Sequence, residues 1–213
     1  MRPIRKISKG KLHHFSQKGH NNAEIFMDDK DRIAYLDSIF SAAEKNKLII
    51  HAYQLLNHEA HWMVTPQLGD SLRLTVQSVG REYVRAFNQR WGRTGTLWDG
   101  RYRSYVIDGK PTVELNIQKY LDKLPKDNGL IRDEVQWKWS SCAYYCGALS
   151  QVQKLITKKN YWSFLFPISA YWELGNTPFE RQFKYREFLK RSLSHEETEK
   201  IRKSLSRGVP KLN

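Results

Sequence analysis

Cysteine is scarce: 213 residues contain two, Cys142 and Cys146. A pair four residues apart, without His or Cys neighbours at zinc-ligand spacing, excludes a disulfide scaffold and a zinc module. It reads as two free thiols in a reducing compartment, so the expected location is cytoplasmic. Long hydrophobic runs are missing too. No stretch reaches the roughly 18 apolar residues that a membrane helix needs. The basic N-terminus lacks a following apolar segment, so no signal peptide is expected. Acids are in short supply, 22 against 36 Lys and Arg, for a formal net charge of +14. Residues 1–19 hold no acid at all. This balance favours a polyanionic partner, held through counterion release, and no membrane or small-molecule partner is expected.

What is present is a globular composition, 40% hydrophobic and 13% aromatic, enough for one sizeable core. Residues 1–10 read as a basic arm and His13 to Lys18 as a first strand. Asp28 to Lys47 starts with acids, ends with lysines and spaces Ile33, Leu36, Ile39 and Phe40 helically. Leu48 to Leu55 and Glu59 to Thr65 are predicted strands. Asp70 to Trp91 is a second long helix, with Asp70 or Ser71 at its start and Gly92 at its close. Arg103 to Ile107 is extended. Pro111 opens a third helix, which Pro125 is expected to stop. The pattern predicts an α+β domain over 11–132. Residues 133–191 form a helical, aromatic extension packed on it, and 192–213 a flexible charged tail.

Two segments carry chemistry. In Ala52-Tyr-Gln-Leu-Leu-Asn-His-Glu-Ala-His-Trp-Met-Val-Thr-Pro66, alternation puts Glu59 and His61 on one side of a strand and Ala60 on the other. A carboxylate and an imidazole so placed can hold one divalent cation, Mg²⁺ or Mn²⁺. On spacing alone they are equally the polar face of an ordinary strand. His58 and His61, three apart, face opposite sides, and His13 and His14 read as plain strand residues. The second segment, 81–105, interleaves arginines with aromatics. Arg81, Arg85, Arg93, Arg101 and Arg103 are candidates for phosphates. Trp98 and Tyr102 are candidates for stacking on unpaired bases, although core packing would account for part of the aromatic set.

Further stretches fall into an order. They are Gly19-His-Asn-Asn-Ala-Glu-Ile-Phe-Met-Asp-Asp29, the strand segment above, Gly92-Arg-Thr-Gly-Thr-Leu-Trp-Asp-Gly-Arg-Tyr-Arg-Ser104, Lys119-Tyr-Leu-Asp-Lys-Leu-Pro125, Trp137-Lys-Trp-Ser-Ser141 and Arg207-Gly-Val-Pro210. Together they resemble the HUH single-strand DNA transposases, in particular the REP-associated tyrosine transposases, over nearly the whole chain. The resemblance implies an antiparallel sheet of ferredoxin-like topology and a single-stranded, hairpin-forming DNA partner. It makes Tyr120 the nucleophile of a 5′-phosphotyrosine intermediate, assisted by a divalent metal. The sequence departs from that family at two ligand positions. Glu59 stands where the family has the first histidine of its strand pair. Leu124 stands where it has an asparagine one turn beyond the tyrosine.

The metal is therefore expected to be weakly held or absent. The leading expectation is a transposase acting as monomer or homodimer. The alternatives are a catalytically impaired hairpin-DNA-binding protein and an RNA-binding module, the last of which explains the charge but not the ordered motifs.

Overall fold

The computed structural model describes residues 7–149 and 160–207. Four strands make one sheet: β1 (His13–Lys18), β2 (Leu48–Leu55), β3 (Glu59–Pro66) and β4 (Arg103–Val106). Their order is β2-β3-β1-β4 and every pairing is antiparallel. Helix α1 (Asp29–Lys45) joins β1 to β2, a short turn joins β2 to β3, and α2 (Ser71–Arg90) leads toward β4. This is the ferredoxin-like βαββαβ arrangement that the resemblance implied.

Local chemistry sets these elements. The Asp28 carboxylate caps α1 by accepting from Asp31 N at 3.1 Å, with Asp29 and Asp31 in the first turn and Lys45 in the last, each complementing the helix dipole. Gly19 is required by crowding: a Cβ there would stand 2.0 Å from the Ala23 carbonyl oxygen. Gly100 has φ +73° in the turn that delivers Arg101 to β4, a region that other residues enter at a cost.

The sheet has two unlike faces. On one, Trp62 is fully buried, stacked on Tyr53 with ring centroids 5.2 Å apart and touching Phe15, Tyr35 and Phe40. Helices α1 and α2 close over this aromatic core. Their ends are tied by Arg90, which donates to Asp28 and to Asp31. The other face is more polar and lies under α3 (Pro111–Asp127). Contrary to expectation, Pro125 does not stop α3. It sits in the last turn, where its missing N–H costs one bond, and its carbonyl still accepts from Leu130 N at 2.9 Å.

The edge of β2 is covered by the extension, which satisfies backbone groups that would otherwise invite another strand. Leu55 N donates to Trp139 O, Ser141 N to Tyr53 O and Phe166 N to Ile50 O, at 2.9–3.0 Å. Among its described residues the extension contains two one-turn helices, α4 (Cys142–Tyr145) and α5 (Ser169–Trp172), and the longer α6 (Pro178–Lys190). The cysteines are buried free thiols, as expected.

The expected flexible tail is instead a helix, α7 (His195–Arg207). Ile201 and Leu205, one turn apart, are buried against the domain, and Ser194 and Glu197 cap its start reciprocally. Residues 208–213, the rest of that tail, and most of the N-terminal arm lie outside the described residues. No described helix is long and apolar enough to cross a membrane.

Under α6, Asp122 of α3 is fully buried and accepts from Tyr185 Oη at 2.6 Å. Burial raises its carboxyl to about 7, with Glu134 adding and the Tyr185 bond opposing. An acid raised in the fold favours folding fully below its unfolded value near 3.8 and loses that contribution as pH rises through about 7. Asp122→Asn, which keeps an acceptor but no charge, should therefore be close to neutral at pH 4. At pH 8 it should be more stable than wild type by roughly 2–4 kcal/mol, about 1.4 per pK unit. Urea denaturation of both proteins at the two pH values checks this.

Candidate active site and nucleic-acid interface

Register builds the site. Ser16 of β1 pairs with His61 of β3 on one side and Arg103 of β4 on the other, and His61 also pairs with Gln54 of β2. Directly paired residues share a face, so Gln54, His61, Ser16 and Arg103 form one row across the sheet on the α3 side. The flanking rows add Lys18 opposite Glu59, and His14 between Met63 and Tyr105. Glu59 and His61 thus share a face as alternation predicted.

His61 is buried between two partners. Its Nδ1 lies 3.1 Å from His14 Nε2, and its Nε2 lies 3.3 Å from Glu59 Oε1 without an aligned hydrogen bond. The His61 ring, helped by Lys18 and His58, holds the Glu59 carboxyl down at about 2 against the opposing effect of burial. Burial first, and His61 second, keep His14 well below the usual histidine range, so His14 is neutral at pH 7. Several buried polar atoms on this face lack a partner: His61 Nε2, His14 Nδ1, both amide atoms of Gln54 and Tyr105 Oη. Such atoms cost free energy unless something outside the chain meets them.

Tyr120 and Leu124, one turn apart on α3, are only partly buried where they pack against the core. Tyr120 lies within electrostatic reach of Glu59 and of Tyr105. Burial raises its phenol above the ordinary value and Glu59 adds to this, while Arg202 of α7 opposes by its charge and a hydrogen bond. Helix α7 therefore lies beside the phenol. Ser192, Leu193 and Thr198 line a 260 Å³ cavity with Tyr120, Lys123 and Asp127. Leu124 offers no oxygen. Among the described residues, no group of three or more His, Cys, Asp or Glu side chains is placed to hold a metal ion.

The second segment divides by parity. Arg81, Arg85, Arg93, Arg101 and Arg103 are all exposed, and none makes an ion pair among the described residues. Tyr102, between two of them, points the other way. It is buried edge-on against Phe15, so the expectation that it stacks on bases is corrected: it is a core residue. Trp98 is half-buried, stacked on Tyr83 and beside Gly80 of α2. It pins the 92–101 loop onto the helix that carries Arg81 and Arg85, which leaves it a smaller part in any stacking. The loop is further held to the site end of the sheet, where Asp99 N donates to Lys18 O and His20 N to Leu97 O. Sequence reasoning missed His14 and Gln54. Their signal is a cross-strand register, which local spacing does not contain.

No family model matches the chain, and no curated protein matches it significantly. Among solved structures, a REP-associated tyrosine transposase bound to a REP hairpin is similar, with a TM-score of 0.56 at 18% identity over 69% of this chain and 86% of that one. A protein from Deinococcus radiodurans R1, assigned provisionally as a transposase, is 20% identical over 58% of this chain and 97% of that one, but its TM-score of 0.39 carries no argument. At such identity the likeness speaks to architecture alone: this chain shares the α+β fold of that REP-associated tyrosine transposase.

Proposed function

We propose that the protein binds hairpin-forming single-stranded DNA and cleaves and rejoins it through Tyr120, with attenuated activity. The observation that carries this is the juxtaposition of Tyr120 with the Glu59–His61 pair, 3.3 Å apart without an aligned hydrogen bond, on a sheet face that also leaves the Gln54 amide buried and unpartnered. The solved neighbour of the same fold is bound to a REP hairpin, which supports the same class of partner here.

The residues present fit a weak divalent site. Two cis ligands about 2.1 Å from an octahedral ion stand about 3.0 Å apart, close to the 3.3 Å between Glu59 and His61. Gln54, opposite His61, is a candidate third oxygen donor. Bound there, Mg²⁺ or Mn²⁺ would polarise the scissile phosphate. His14 accepts from or donates to His61 Nδ1 and so fixes which face of the His61 ring is free. In cleavage, the Tyr120 oxygen forms a bond to phosphorus as the P–O3′ bond breaks. The phenol loses its proton and the departing 3′ oxygen gains one. Rejoining reverses these steps, so no external energy source is needed. The raised phenol pKa works against the reaction at neutral pH. Arg202 is the cation that lowers it.

The second reading, a hairpin-binding protein without catalysis, is favoured by one observation: Leu124 presents a hydrocarbon where an oxygen ligand is expected. The two readings separate in a covalent-adduct assay. Incubated with labelled hairpin DNA and Mn²⁺, wild type should give a faint protein–DNA adduct that increases with pH from 6 to 9. Tyr120→Phe should abolish it without weakening hairpin binding, and Leu124→Asn should raise it, because the amide returns to the face of Tyr120 one turn away. A strong adduct that survives Tyr120→Phe removes Tyr120 as nucleophile. No adduct in any variant, with tight binding throughout, favours the second reading.

Mn²⁺ binding should depend on His14. His14→Leu should lower Mn²⁺ affinity about 10–100-fold, the usual effect of losing a ligand's orienting partner, whereas His14→Gln should retain most of it. Titration followed by electron paramagnetic resonance measures this, and equal affinities in all three proteins would place the ion elsewhere.

For DNA, Arg101→Ala combined with Arg103→Ala should weaken hairpin binding and lower the slope of log K against log salt by about two, one per phosphate contact. Thermal stability should be unchanged because both side chains are exposed. An unchanged slope would mean that neither arginine touches the backbone.

A further inference from the structure

The two cysteines take no part in the chemistry around Tyr120, yet their placement is more specific than core packing requires. Cys142 opens α4 and Cys146 closes it, with Cys146 N donating to Cys142 O at 3.0 Å. Residues four apart in an α-turn have Cα atoms about 6 Å apart, within the span of a disulfide. Positions i and i+4 share a helix face, and here the two Sγ atoms lie 4.0 Å apart. The chain has no other cysteine, so each thiol has one possible partner within the protein.

The surroundings of the two thiols differ, and the difference assigns their roles. Cys146 helps to line a cavity of about 420 Å³ between α3 and α6, whereas Cys142 does not. Cys146 is 3% exposed, so only a small solute inside that cavity reaches it. Arg186 of α6 lines the same cavity and donates to the Cys146 carbonyl at 2.9 Å. A neighbouring cation favours the thiolate, the form that attacks. Cys142 is fully buried behind it. The contact with Cys146, burial, and the charges of Asp122 and Glu134 push the Cys142 thiol well above its ordinary range, so it stays protonated. One sulfur is reachable and the other waits beside it, the arrangement of an attacking and a resolving cysteine.

We propose that Cys142 and Cys146 form a peroxide-sensitive dithiol, closed to an intramolecular disulfide by hydrogen peroxide that enters the α3/α6 cavity. The Cys146 thiolate attacks one peroxide oxygen. The O–O bond breaks, Cys146 becomes a sulfenic acid, and the other oxygen leaves as hydroxide, which takes up the proton that Cys146 gave. The Cys142 sulfur then attacks the Cys146 sulfur. The S–O bond breaks, and its oxygen leaves as water with the Cys142 proton. Together the cysteines lose two electrons and two protons, and the peroxide is reduced to two waters. The bridge closes across the turn that clasps the edge of β2, where Ser141 N donates to Tyr53 O and Tyr145 Oη to His51 O. Oxidation therefore stiffens the hold of the extension on the sheet, and a reducing compartment reverses it.

The experiment treats the reduced full chain with hydrogen peroxide and follows the peptide that carries both cysteines by mass spectrometry. Folded wild type should lose the mass of two hydrogens from that peptide and regain it with dithiothreitol. Cys142→Ala should instead accumulate a sulfenic acid on Cys146, captured by dimedone. Cys146→Ala should give no adduct, because Cys142 is out of reach. Arg186→Gln, which keeps a donor but not the charge, should slow disulfide formation about tenfold, the effect of one pK unit on the thiolate fraction. Arg186→Lys should react as wild type. In the oxidised protein, amide hydrogen exchange should be slower over residues 140–148. The wild-type measurements need no substitution, so a variant that folds poorly does not blunt the test. If folded wild type keeps both thiols, or oxidises only at the rate of its global unfolding, the pair is an inert part of the core. If dimedone labels Cys142 in Cys146→Ala as readily as Cys146 in Cys142→Ala, the cavity does not select the attacking sulfur and the proposal falls. None of these readouts involves DNA, so the proposed function is tested separately.

Discussion

The position of β1 between β3 and β4 is the constraint on which everything else depends. A strand offers its side chains to two faces in strict alternation, and a slip of one residue would exchange them all. Here the register is anchored by Phe15 opposite Trp62, both fully buried. Trp62 alone touches four aromatic rings. With that pair locked, Ser16 must meet His61, Lys18 must meet Glu59, and His14 must lie diagonally against His61. The polar face is therefore positioned by the apolar one. A residue of the aromatic core that never approaches the candidate site decides where its imidazoles lie.

The two faces also differ in polarity. On the α1/α2 side, packing is dense and hydrophobic, the arrangement that stabilises most per unit area. On the α3 side, a neutral His14, the His61 ring and the Gln54 amide are buried together with several unpaired atoms. A core selected for stability alone would replace such groups with hydrocarbon. Keeping them is costly, and the cost is recovered only when a ligand or water meets those atoms. Leu124, on the same side, is the opposite choice, apolar where a donor would serve the site. The face thus combines buried polar groups with a hydrocarbon where the proposed chemistry would use a donor.

How much of this was legible follows from the range of each signal. The four strands and three long helices were readable because their periodicities are local and strong. The sharing of one face by Glu59 and His61 needed only alternation. Tyr102 was also within reach of that rule: with Arg101 and Arg103 exposed on either side, the residue between them turns inward, and the density of aromatics in the segment obscured this. The helix at 195–207 had a local signal in Ser194, Glu197, Ile201 and Leu205, outweighed by the charge around it. His14 and Gln54 were different in kind. Their significance arises 47 and 7 residues from His61, through strand pairings that no window of sequence displays. His13, beside His14, shows how narrow the distinction is. It turns to the other face and is held by the backbone of Lys11 and Ser8.

The distribution of charge completes the argument from composition. A surplus of +14 says that the chain attracts polyanions, but not where. The fold divides the cations into those already engaged and those left over. Arg90 ties α2 to α1 through two aspartates, Lys138 pairs with Asp29, and Arg32 is buried against Asn57 and aromatic rings. These serve the structure. Among those left over are the exposed arginines of α2, the 92–101 loop and β4, gathered at one end of the sheet and without ion pairs among the described residues. The fold thereby localises the charge surplus, and where it lies is set by which cations the fold engages.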